Sequence, residues 1–391
     1  MAEAYIVEAV RTAGGRRGGR LAGWHPVDLA AHVLDALVER SGVDPAAVDD
    51  VILGCVMQGG EQSMNIARNA VLASRLPRTV PGTTIDRQCG SSQQALHFAA
   101  QAVMSGVNDV VIAGGVESMT RVPMFSTALL AQKAGMGYYQ DCSLRSRYPQ
   151  DFSQFSGAEM LAQQHGLSKD RLDEYALSSH RKAAAASEGG AFAAEIVPVP
   201  VRGAQGEPTG EMHTVDEGIR FDASLEGIRS VKLLREGGVI TAANASQLCD
   251  GASAVLVASD RGLKALGLTP MARVHHMSVL GGDPVVMLDT PLDASRRALQ
   301  RAGMRIGEID LYEVNEAFAP VPLAWLQALD ADPARLNVHG GAIALGHPLG
   351  SSGTKLMTTL LHAMRRQGAH FGLQTMCEGG GMANVTIVER L

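Results

Sequence analysis

Residues 86–92, Asp-Arg-Gln-Cys-Gly-Ser-Ser, stand at a change in the sequence pattern. The residues just before them, 83–85, are β-branched and favour a β-strand. After them, small and apolar residues recur at three- and four-residue spacing as far as Gly106, which predicts a helix: Leu96, Ala99, Ala100 and Val103. Cys89 is therefore placed where a strand ends and a helix begins.

Further strands are predicted on both sides of this unit. Residues 48–53 have the composition of a strand, and residues 109–113, an aspartate followed by four apolar residues, are typical of a buried strand. Gly114 and Gly115 follow that run and predict a turn.

The same layout recurs near the end of the chain. Residues 309–314 predict a strand, and a glycine-rich stretch that contains His347 leads into a predicted helix at about 351–366. Strands are predicted at 372–376 and 384–389, on either side of Gly379-Gly380-Gly381. Strands that alternate with helices indicate an α/β protein with mainly parallel sheets, built from two similar halves.

The stretch from about 120 to 246 interrupts this pattern. It holds several prolines and polar loops, and one clear amphipathic helix is predicted at about 169–187. We therefore expect residues 1–268 to form a first domain that carries an inserted loop domain at about 120–246. Residues 269–391 are expected to form the second domain.

Composition argues against several classes of protein. A net charge of −6 and 4% aromatic residues speak against nucleic-acid binding. No stretch of about 18 apolar residues occurs, so we expect no membrane span. Five cysteines without a C-x-x-C spacing argue against a disulfide framework or a zinc site. With no secretory signal at the N-terminus, these features favour a cytoplasmic location.

Cys89 is the first candidate for chemistry. At a helix N-terminus, the backbone N–H groups and the helix dipole favour a thiolate, so we expect a lowered thiol pKa. The alternative is a buried cysteine that acts as a small apolar side chain. The polar and small neighbours of Cys89 leave room for a substrate and favour the functional interpretation.

Three more candidates lie in the second half. His347 sits in a Gly-His-Pro-Leu-Gly turn that would hold an imidazole in place to activate a cysteine. Cys377 precedes Gly379, and glycines there would let N–H groups approach a substrate oxygen, although composition alone favours a glycine bend between two hairpin strands. Asn315 follows a predicted strand, where asparagine is most often a cap or turn residue.

Together these segments closely resemble the thiolase family. The resemblance rests on four segments that occur in the family's order and spacing: 86–92, 315–319 (Asn-Glu-Ala-Phe-Ala), 340–348 (Gly-Gly-Ala-Ile-Ala-Leu-Gly-His-Pro) and 377–382 (Cys-Glu-Gly-Gly-Gly-Met). It extends from about residue 6 to residue 389 and implies a thiolase-like fold with αβαβα layers. It also implies reversible Claisen condensation or thiolysis of a 3-oxoacyl-CoA.

The resemblance assigns a role to each catalytic candidate. Cys89 matches the nucleophile that carries the acyl group, and His347 the residue that activates it. Cys377 matches the acid/base at the α-carbon, and Asn315 the residue that holds a water in one oxyanion hole. The backbone N–H groups of Cys89 and Gly379 match the second oxyanion hole.

The resemblance also implies the ligands. Arg220 and Ser246 match positions near the nucleotide and pantetheine of CoA, and Phe318 is expected to contact the substrate. Coenzyme A and acyl-CoA are implied as substrates, without a permanent cofactor or metal. A homodimer or homotetramer is expected.

Three positions depart from the family pattern. His339 stands where Asn is common, and Glu378 where small or aliphatic residues are common. Short-chain-specific members resemble one another in a His-Met pair that the aligned segment 153–159 lacks. That Met limits pocket depth, so its absence predicts tolerance of longer or bulkier acyl groups.

Other functions fit the sequence less well. A ketoacyl synthase would use one cysteine with two histidines, which the segment at Cys377 argues against. A non-catalytic acyl-CoA or lipid-binding protein would be expected to lack the nucleophile or the base. A nucleotide-binding protein would need phosphate-loop spacing, which 350–355 does not have.

Overall fold

A computed structural model describes residues 2–203 and 206–391. The strands in these ranges are β1 (Ala4–Thr12), β2 (Gly15–Arg16), β3 (Asp50–Gly54), β4 (Gly82–Ile85), β5 (Val110–Ser118), β6 (Ile196–Val197), β7 (Val199–Arg202), β8 (Pro208–His213), β9 (Cys249–Ser259), β10 (Ala272–Gly281), β11 (Leu311–Val314), β12 (Phe371–Glu378) and β13 (Met382–Arg390).

The α-helices in the same ranges are α1 (Pro26–Ser41), α2 (Ile66–Ala73), α3 (Ser91–Met104), α4 (Ser126–Lys133), α5 (Ser143–Arg147), α6 (Gln154–Gln164), α7 (Lys169–Glu188), α8 (Leu225–Arg229), α9 (Asp260–Leu266), α10 (Thr290–Ala302), α11 (Pro320–Leu329), α12 (Ala342–Leu345) and α13 (Ser352–Gln367). The helices predicted at 91–106, 169–187 and 351–366 are thus present as α3, α7 and α13.

The main sheet is mixed, with the order β11-β12-β13-β10-β1-β9-β5-β3-β4. β3 runs parallel to β4 and β5, and β11 runs parallel to β12. β9 and β13, however, run antiparallel to their neighbours on both sides. The expectation of mainly parallel sheets was therefore wrong. One reason is the short connection at 379–381, because a parallel pair needs a crossover of a dozen residues or more.

The two halves share a strand order. The first runs β4-β3-β5-β9-β1, and the second runs β11-β12-β13-β10 with a parallel bridge from Tyr312 to Leu336 at the position that β4 occupies in the first. The halves meet where β1 pairs with β10 through Tyr5 with Arg273 and Ile6 with Ala272. The predicted likeness of the halves is confirmed at the level of topology.

Five layers follow from the packing. Helices α1 and α2 cover the outer face of the first half, and α10 and α11 cover the outer face of the second. Helices α3 and α13 contact each other and lie between the two halves of the sheet. The apolar positions that predicted these helices therefore form an αβαβα core.

Gly114 and Gly115 do not form the predicted turn, because β5 continues through them to Ser118. A Cβ atom on Gly115 would lie 2.1 Å from the carbonyl oxygen of Gly350. Glycine is needed there because a loop of the second half packs directly on the strand backbone. That loop carries His347.

The segment from 120 to 246 contacts the second half as well as the first. Helix α7 packs against α12, and α6 packs against α11. The carboxylate of Glu316 accepts hydrogen bonds from the hydroxyl groups of Tyr175 (2.8 Å) and Ser179 (2.7 Å) on α7. The division at residue 268 and the bounds of the inserted domain stay predictions.

We expect Gly115→Ala to destabilise the protein by about 1–3 kcal/mol, because the added methyl group cannot fit against the backbone of Gly350. The midpoint of thermal unfolding measures this effect. Gly281→Ala is the matched control, since it also lies in a strand but a Cβ atom there has open space. Equal midpoints for the two variants would contradict the proposed backbone contact.

Candidate active site

Cys89 lies in a tight turn between β4 and α3. The turn is closed by backbone hydrogen bonds from Gly90 N to Arg87 O (3.1 Å) and from Ser91 N to Gln88 O (3.0 Å). Gln88 has a φ of 48°, a conformation that side chains other than glycine adopt rarely. Cys89 is half-buried and packs against an apolar cluster of Val56, Met57, Met119, Val122 and Leu349.

Cys377 and Gly379 lie beside this turn. β12 ends at Glu378, and the turn at 379–381 leads directly into β13, so the alternative of a bend between two strands is also correct. A Cβ atom on Gly379 would lie 2.9 Å from the Gln88 side-chain oxygen. The bend therefore packs on Gln88, the residue that precedes Cys89. Cys377 is close enough to Cys89 for a charge on Cys89 to raise the pKa of the Cys377 thiol.

The expectation of a lowered thiol pKa was wrong. Burial, reinforced by the carboxyl of Glu378, raises the pKa of Cys89 to about 12. The backbone N–H groups of Cys89 and Gly379 act in the opposite direction on this pKa, but they do not outweigh the loss of water. Burial likewise raises the pKa of Cys377. Both sulfurs therefore carry their protons at rest.

The same two N–H groups are the pair that the resemblance named for an oxyanion hole. When an acyl carbon is bonded to the sulfur of Cys89, its oxygen would lie where the same N–H donors point. The geometry therefore permits the predicted use of Cys89 and Gly379.

His347 is held in one orientation. Gly346 has a φ of 79°, and a Cβ atom there would also lie 2.6 Å from the sulfur of Cys249. The hydroxyl of Ser352 donates to Pro348 O (2.8 Å), so it accepts at 2.5 Å from the Nδ1–H of His347. Because the proton is on Nδ1, the other ring nitrogen of His347, Nε2, carries the lone pair. Burial, with Lys355 nearby, lowers the pKa of His347 to about 3, so the imidazole is neutral.

Asn315 lies beside His347, and these two residues form the second group of the site; Cys89, Cys377 and Gly379 form the first. It follows β11, and its backbone N donates to Thr375 O (3.0 Å) on the neighbouring parallel strand, so Asn315 and Cys377 share one edge of the sheet. Asn315 Nδ2 donates to Nε2 of His347 at 3.4 Å. Its Oδ1 is buried and has no partner among the residues that the structure describes. A water or substrate group bound there would satisfy it.

One loop contact joins the half that carries Cys89 to the loop that follows His347. Residues 349–351 follow His347 and pack on β3 and β5, where a Cβ atom on Gly54 would lie 2.6 Å from Gly350 O. The buried carboxylate of Glu117 accepts from the backbone N of Gly350 (2.9 Å) and of Val56 (2.9 Å). The histidine loop of the second half is thereby fixed to the cysteine half.

The residues predicted to bind CoA lie around the same loops. Ser246 N donates to Ala317 O (2.9 Å), next to the buried Phe318. The Arg220 side chain is exposed, and its guanidinium forms no ion pair within residues 2–203 and 206–391. It could therefore receive a phosphate. The structure places these residues near the site, and their contact with CoA stays a prediction.

Sequence reasoning missed three positioning residues. Ser352 orients His347, and Glu117 fixes the loop after it. Gln247 accepts the backbone N–H of His347 at its carbonyl (3.0 Å), and its side chain donates to Gly218 O (2.8 Å) and Ile343 O (2.7 Å). A polar residue in a loop or strand carries no pattern that marks such a role, so only the contacts reveal it.

A cavity of about 390 Å³ lies next to this site, lined by Phe155, Ser156, Glu159, Leu234, Arg235 and Ile240. The ring of Phe155 packs edge-to-face on Phe318, with centroids 5.6 Å apart. Gln154, one residue before Phe155, contacts Met124, which packs on the same apolar cluster as Cys89. The cavity is thus connected to the loop of Asn315 through the contact of Phe155 with Phe318.

Three further findings concern the rest of the molecule. Within residues 2–203 and 206–391, no three His, Cys, Asp or Glu side chains are grouped so that they could hold a metal ion. None of the helices built from those residues is long and apolar enough to cross a bilayer. All five cysteines are free thiols.

Comparison with known families gives two matches that together span most of the chain. Residues 4–261 match the family described as "Thiolase, N-terminal domain". Residues 268–390 match the family described as "Thiolase, C-terminal domain".

Individual relatives are similar over the whole chain. The steroid 3-ketoacyl-CoA thiolase FadA6 of Mycobacterium tuberculosis (strain ATCC 25618 / H37Rv) is 52% identical over 394 residues, which cover 100% of this chain and 95% of that protein. The 3-ketoacyl-CoA thiolase of Yersinia pestis (strain Pestoides F) is 42% identical, with 100% of both chains covered. The protein of that name from Serratia proteamaculans (strain 568) is also 42% identical.

We predict that Ser352→Ala slows alkylation of Cys89 by iodoacetamide severalfold, because the Nδ1–H of His347 loses its acceptor and the ring its fixed tautomer. His347→Ala should slow it by about tenfold or more. Peptide mass spectrometry reads the rate at Cys89 separately from the exposed Cys142. Ser351→Ala is the control, since its hydroxyl contacts Ser253. Equal rates in both serine variants would exclude the positioning role of Ser352.

Proposed function

The chain belongs to the thiolase family and is an acyltransferase, and we propose that it cleaves bulky 3-oxoacyl-CoA esters through an acyl-enzyme on Cys89. The proposal is carried by two turns and one loop contact: Gln88, beside Cys89, packs on Gly379, His347 bonds to Asn315, and the loop after His347 packs on β3 and β5 of the cysteine half. These turns come from opposite halves of the molecule. Each supplies groups that the reaction requires.

The first step forms the bond to the enzyme. Nε2 of His347 takes the proton of the Cys89 thiol as the sulfur attacks the 3-oxo carbon of the substrate. The carbonyl becomes a negatively charged oxygen, which the backbone N–H groups of Cys89 and Gly379 stabilise. Because both groups are uncharged at rest, proton transfer and attack are coupled.

The second step breaks the carbon–carbon bond. The electron pair of that bond passes to the α-carbon of the departing acetyl-CoA, and its enolate oxygen is stabilised at Asn315 and His347. Cys377 gives its thiol proton to the α-carbon. The raised pKa of Cys377 suits this role, because the thiol keeps its proton until the carbanion forms.

The third step returns the enzyme to its starting state. A new CoA loses its thiol proton to the thiolate of Cys377, and its sulfur attacks the acyl group on Cys89. The released Cys89 thiolate regains its proton from His347, and a shortened acyl-CoA leaves. The same groups in reverse order carry out the Claisen condensation, and the covalent intermediate gives ping-pong kinetics.

The preference for bulky acyl groups is supported by the cavity beside Phe155. A volume of about 390 Å³ lies within the range of pockets that hold drug-sized ligands. The relative that is 52% identical is named a steroid 3-ketoacyl-CoA thiolase. We therefore propose ring-containing or long-chain acyl groups as substrates, and acyl-chain degradation as the setting.

The remaining parts of the proposal concern the working form of the enzyme. We propose that it acts in the cytoplasm as a homodimer or homotetramer, with CoA and acyl-CoA as substrates and without a permanent cofactor. Self-association is supported by helix α4, which buries none of its residues and exposes Leu129 and Leu130. Arg220 and Ser246 are proposed to contact CoA, and Phe318 the acyl chain.

We expect Cys89→Ala to abolish thiolysis, because the variant lacks the thiol that carries the acyl group in the proposed mechanism. Incubation of the wild type with 3-oxoacyl-CoA should add the acyl mass to the peptide that contains Cys89. A non-catalytic acyl-CoA-binding protein would bind equally well with either residue and show no adduct. An adduct on another cysteine would overturn the assignment of the nucleophile.

We expect Ser156→Phe to lower kcat/KM for bulky acyl groups by about tenfold while acetoacetyl-CoA is cleaved at nearly the wild-type rate, because the ring fills the cavity. A panel of 3-oxoacyl-CoA esters of increasing size measures this selectivity. Ser143→Phe, on α5 and outside the cavity lining, is the control. Equal losses across the panel would show that the cavity does not receive the acyl chain.

A further inference from the structure

Glu378 is a buried carboxyl group that the reaction scheme does not use. It follows Cys377 at the end of β12, and its side chain has no solvent exposure. Neither carboxyl oxygen has a hydrogen-bond partner of good geometry among the residues that the structure describes. A buried polar group in this state is costly, and such groups are concentrated at functional sites.

A comparison with Glu117, another buried glutamate, shows that a buried carboxyl without hydrogen-bond partners is unusual in this protein. Glu117 is equally inaccessible, yet its two oxygens accept hydrogen bonds from Val56 N, Met57 N, Gly350 N and the Gln62 side chain. Four donors make Glu117 a structural tie between loops. Glu378 has no such set of donors, so holding loops together does not explain why a carboxyl is buried there.

The position of Glu378 points to Cys89. A Cβ atom on Gly90 would lie 1.9 Å from Oε1 of Glu378, so the carboxyl lies directly against the backbone that follows the nucleophile. Glu378 is the largest charged influence on Cys89 and also acts on Cys377. Gly90 leaves the space that the carboxyl occupies.

Few other charges surround this carboxyl. From the nucleophile turn, Arg87 faces it, but the two form no ion pair, and Arg87 Nε is itself buried without a partner among the described residues. Asp86 acts more weakly on Cys89. The first turn of α3 holds no charged residue, and β13 contributes only Met382 and Asn384 at this end. Glu378 and the two thiols are therefore the groups whose protonation is coupled.

We propose that Glu378 is a positioning residue that controls the ionisation of Cys89, so that thiolate formation at the nucleophile depends on whether the adjacent carboxyl carries a proton. The inference rests on the proposed role of Cys89 as the nucleophile. It adds a residue to the site without adding a chemical step.

The direction of the effect follows from charge. Burial raises the pKa of Glu378 to about 8. Below that pH the carboxyl is neutral, and a thiolate at Cys89 meets only the two N–H donors. Above it, the thiolate forms beside a second negative charge and is disfavoured. The carboxyl therefore keeps the thiol protonated at alkaline pH.

The test is the rate of iodoacetamide alkylation at Cys89 between pH 6 and 10 in full-length wild type and Glu378→Gln. At pH 6.5 the two rates should agree, because glutamine resembles the protonated acid. At pH 9.5 the variant should react about tenfold faster, the change expected for one unit of thiol pKa. Glu39→Gln, an exposed glutamate, is the control and should follow the wild type throughout.

The dependence on pH separates this role from a structural one. A variant that only disturbs packing would change the rate by one factor at every pH, and that result would overturn the proposal. If Glu378→Gln fails to fold, the pH dependence of Cys89 alkylation in the wild type provides the test. The logarithm of this rate should rise with pH, flatten near pH 8 and then rise again. A straight line of unit slope would exclude the coupling. An acyl adduct elsewhere than Cys89 would instead refute the proposed function.

Discussion

The site depends on the docking of one loop of the second half against two strands of the first. Residues 349–351 approach β3 and β5 at the distance of backbone contact, which is possible only because Gly54, Gly115 and Gly350 lack side chains there. Glu117 secures the contact by accepting the backbone N–H of Gly350. Because His347 directly precedes this loop and Cys89 lies in the half on which it docks, the contact couples the fold to the chemistry. A shift between the halves would separate His347, the proposed base, from Cys89, the proposed nucleophile.

Burial then sets the protonation states of Cys89 and His347. It raises the pKa of the Cys89 thiol and lowers that of the His347 imidazole, so neither group is charged in the free enzyme. An ion pair at rest would be more reactive but also more exposed to unwanted alkylation and oxidation. A neutral pair with N–H donors already in place reserves the thiolate for the moment of attack, when the developing charge has its partners.

The segment from 120 to 246 forms the cavity that we propose as the acyl site. Its helix α7 is tied to the loop of Asn315 through the carboxylate of Glu316, and its helix α6 brings Phe155 onto Phe318. The cavity behind Phe155 is therefore built from one segment but positioned by the second half. This arrangement would let the proposed acyl pocket vary in size while the cysteines and the histidine keep their places.

Periodicity and local chemistry determined much of this protein from sequence alone. The spacing of Leu96, Ala99 and Val103 was sufficient to predict α3, and the segments around Cys89, His347 and Cys377 were sufficient to name the family. Sequence could not predict the strand directions, the true role of Gly115 or the raised thiol pKa. The role of Gly115 and the raised thiol pKa depend on contacts between residues more than two hundred positions apart, Gly115 with Gly350 and Cys89 with Glu378. The strand directions depend on which strands pair, and burial and Coulomb interactions act through space rather than along the chain.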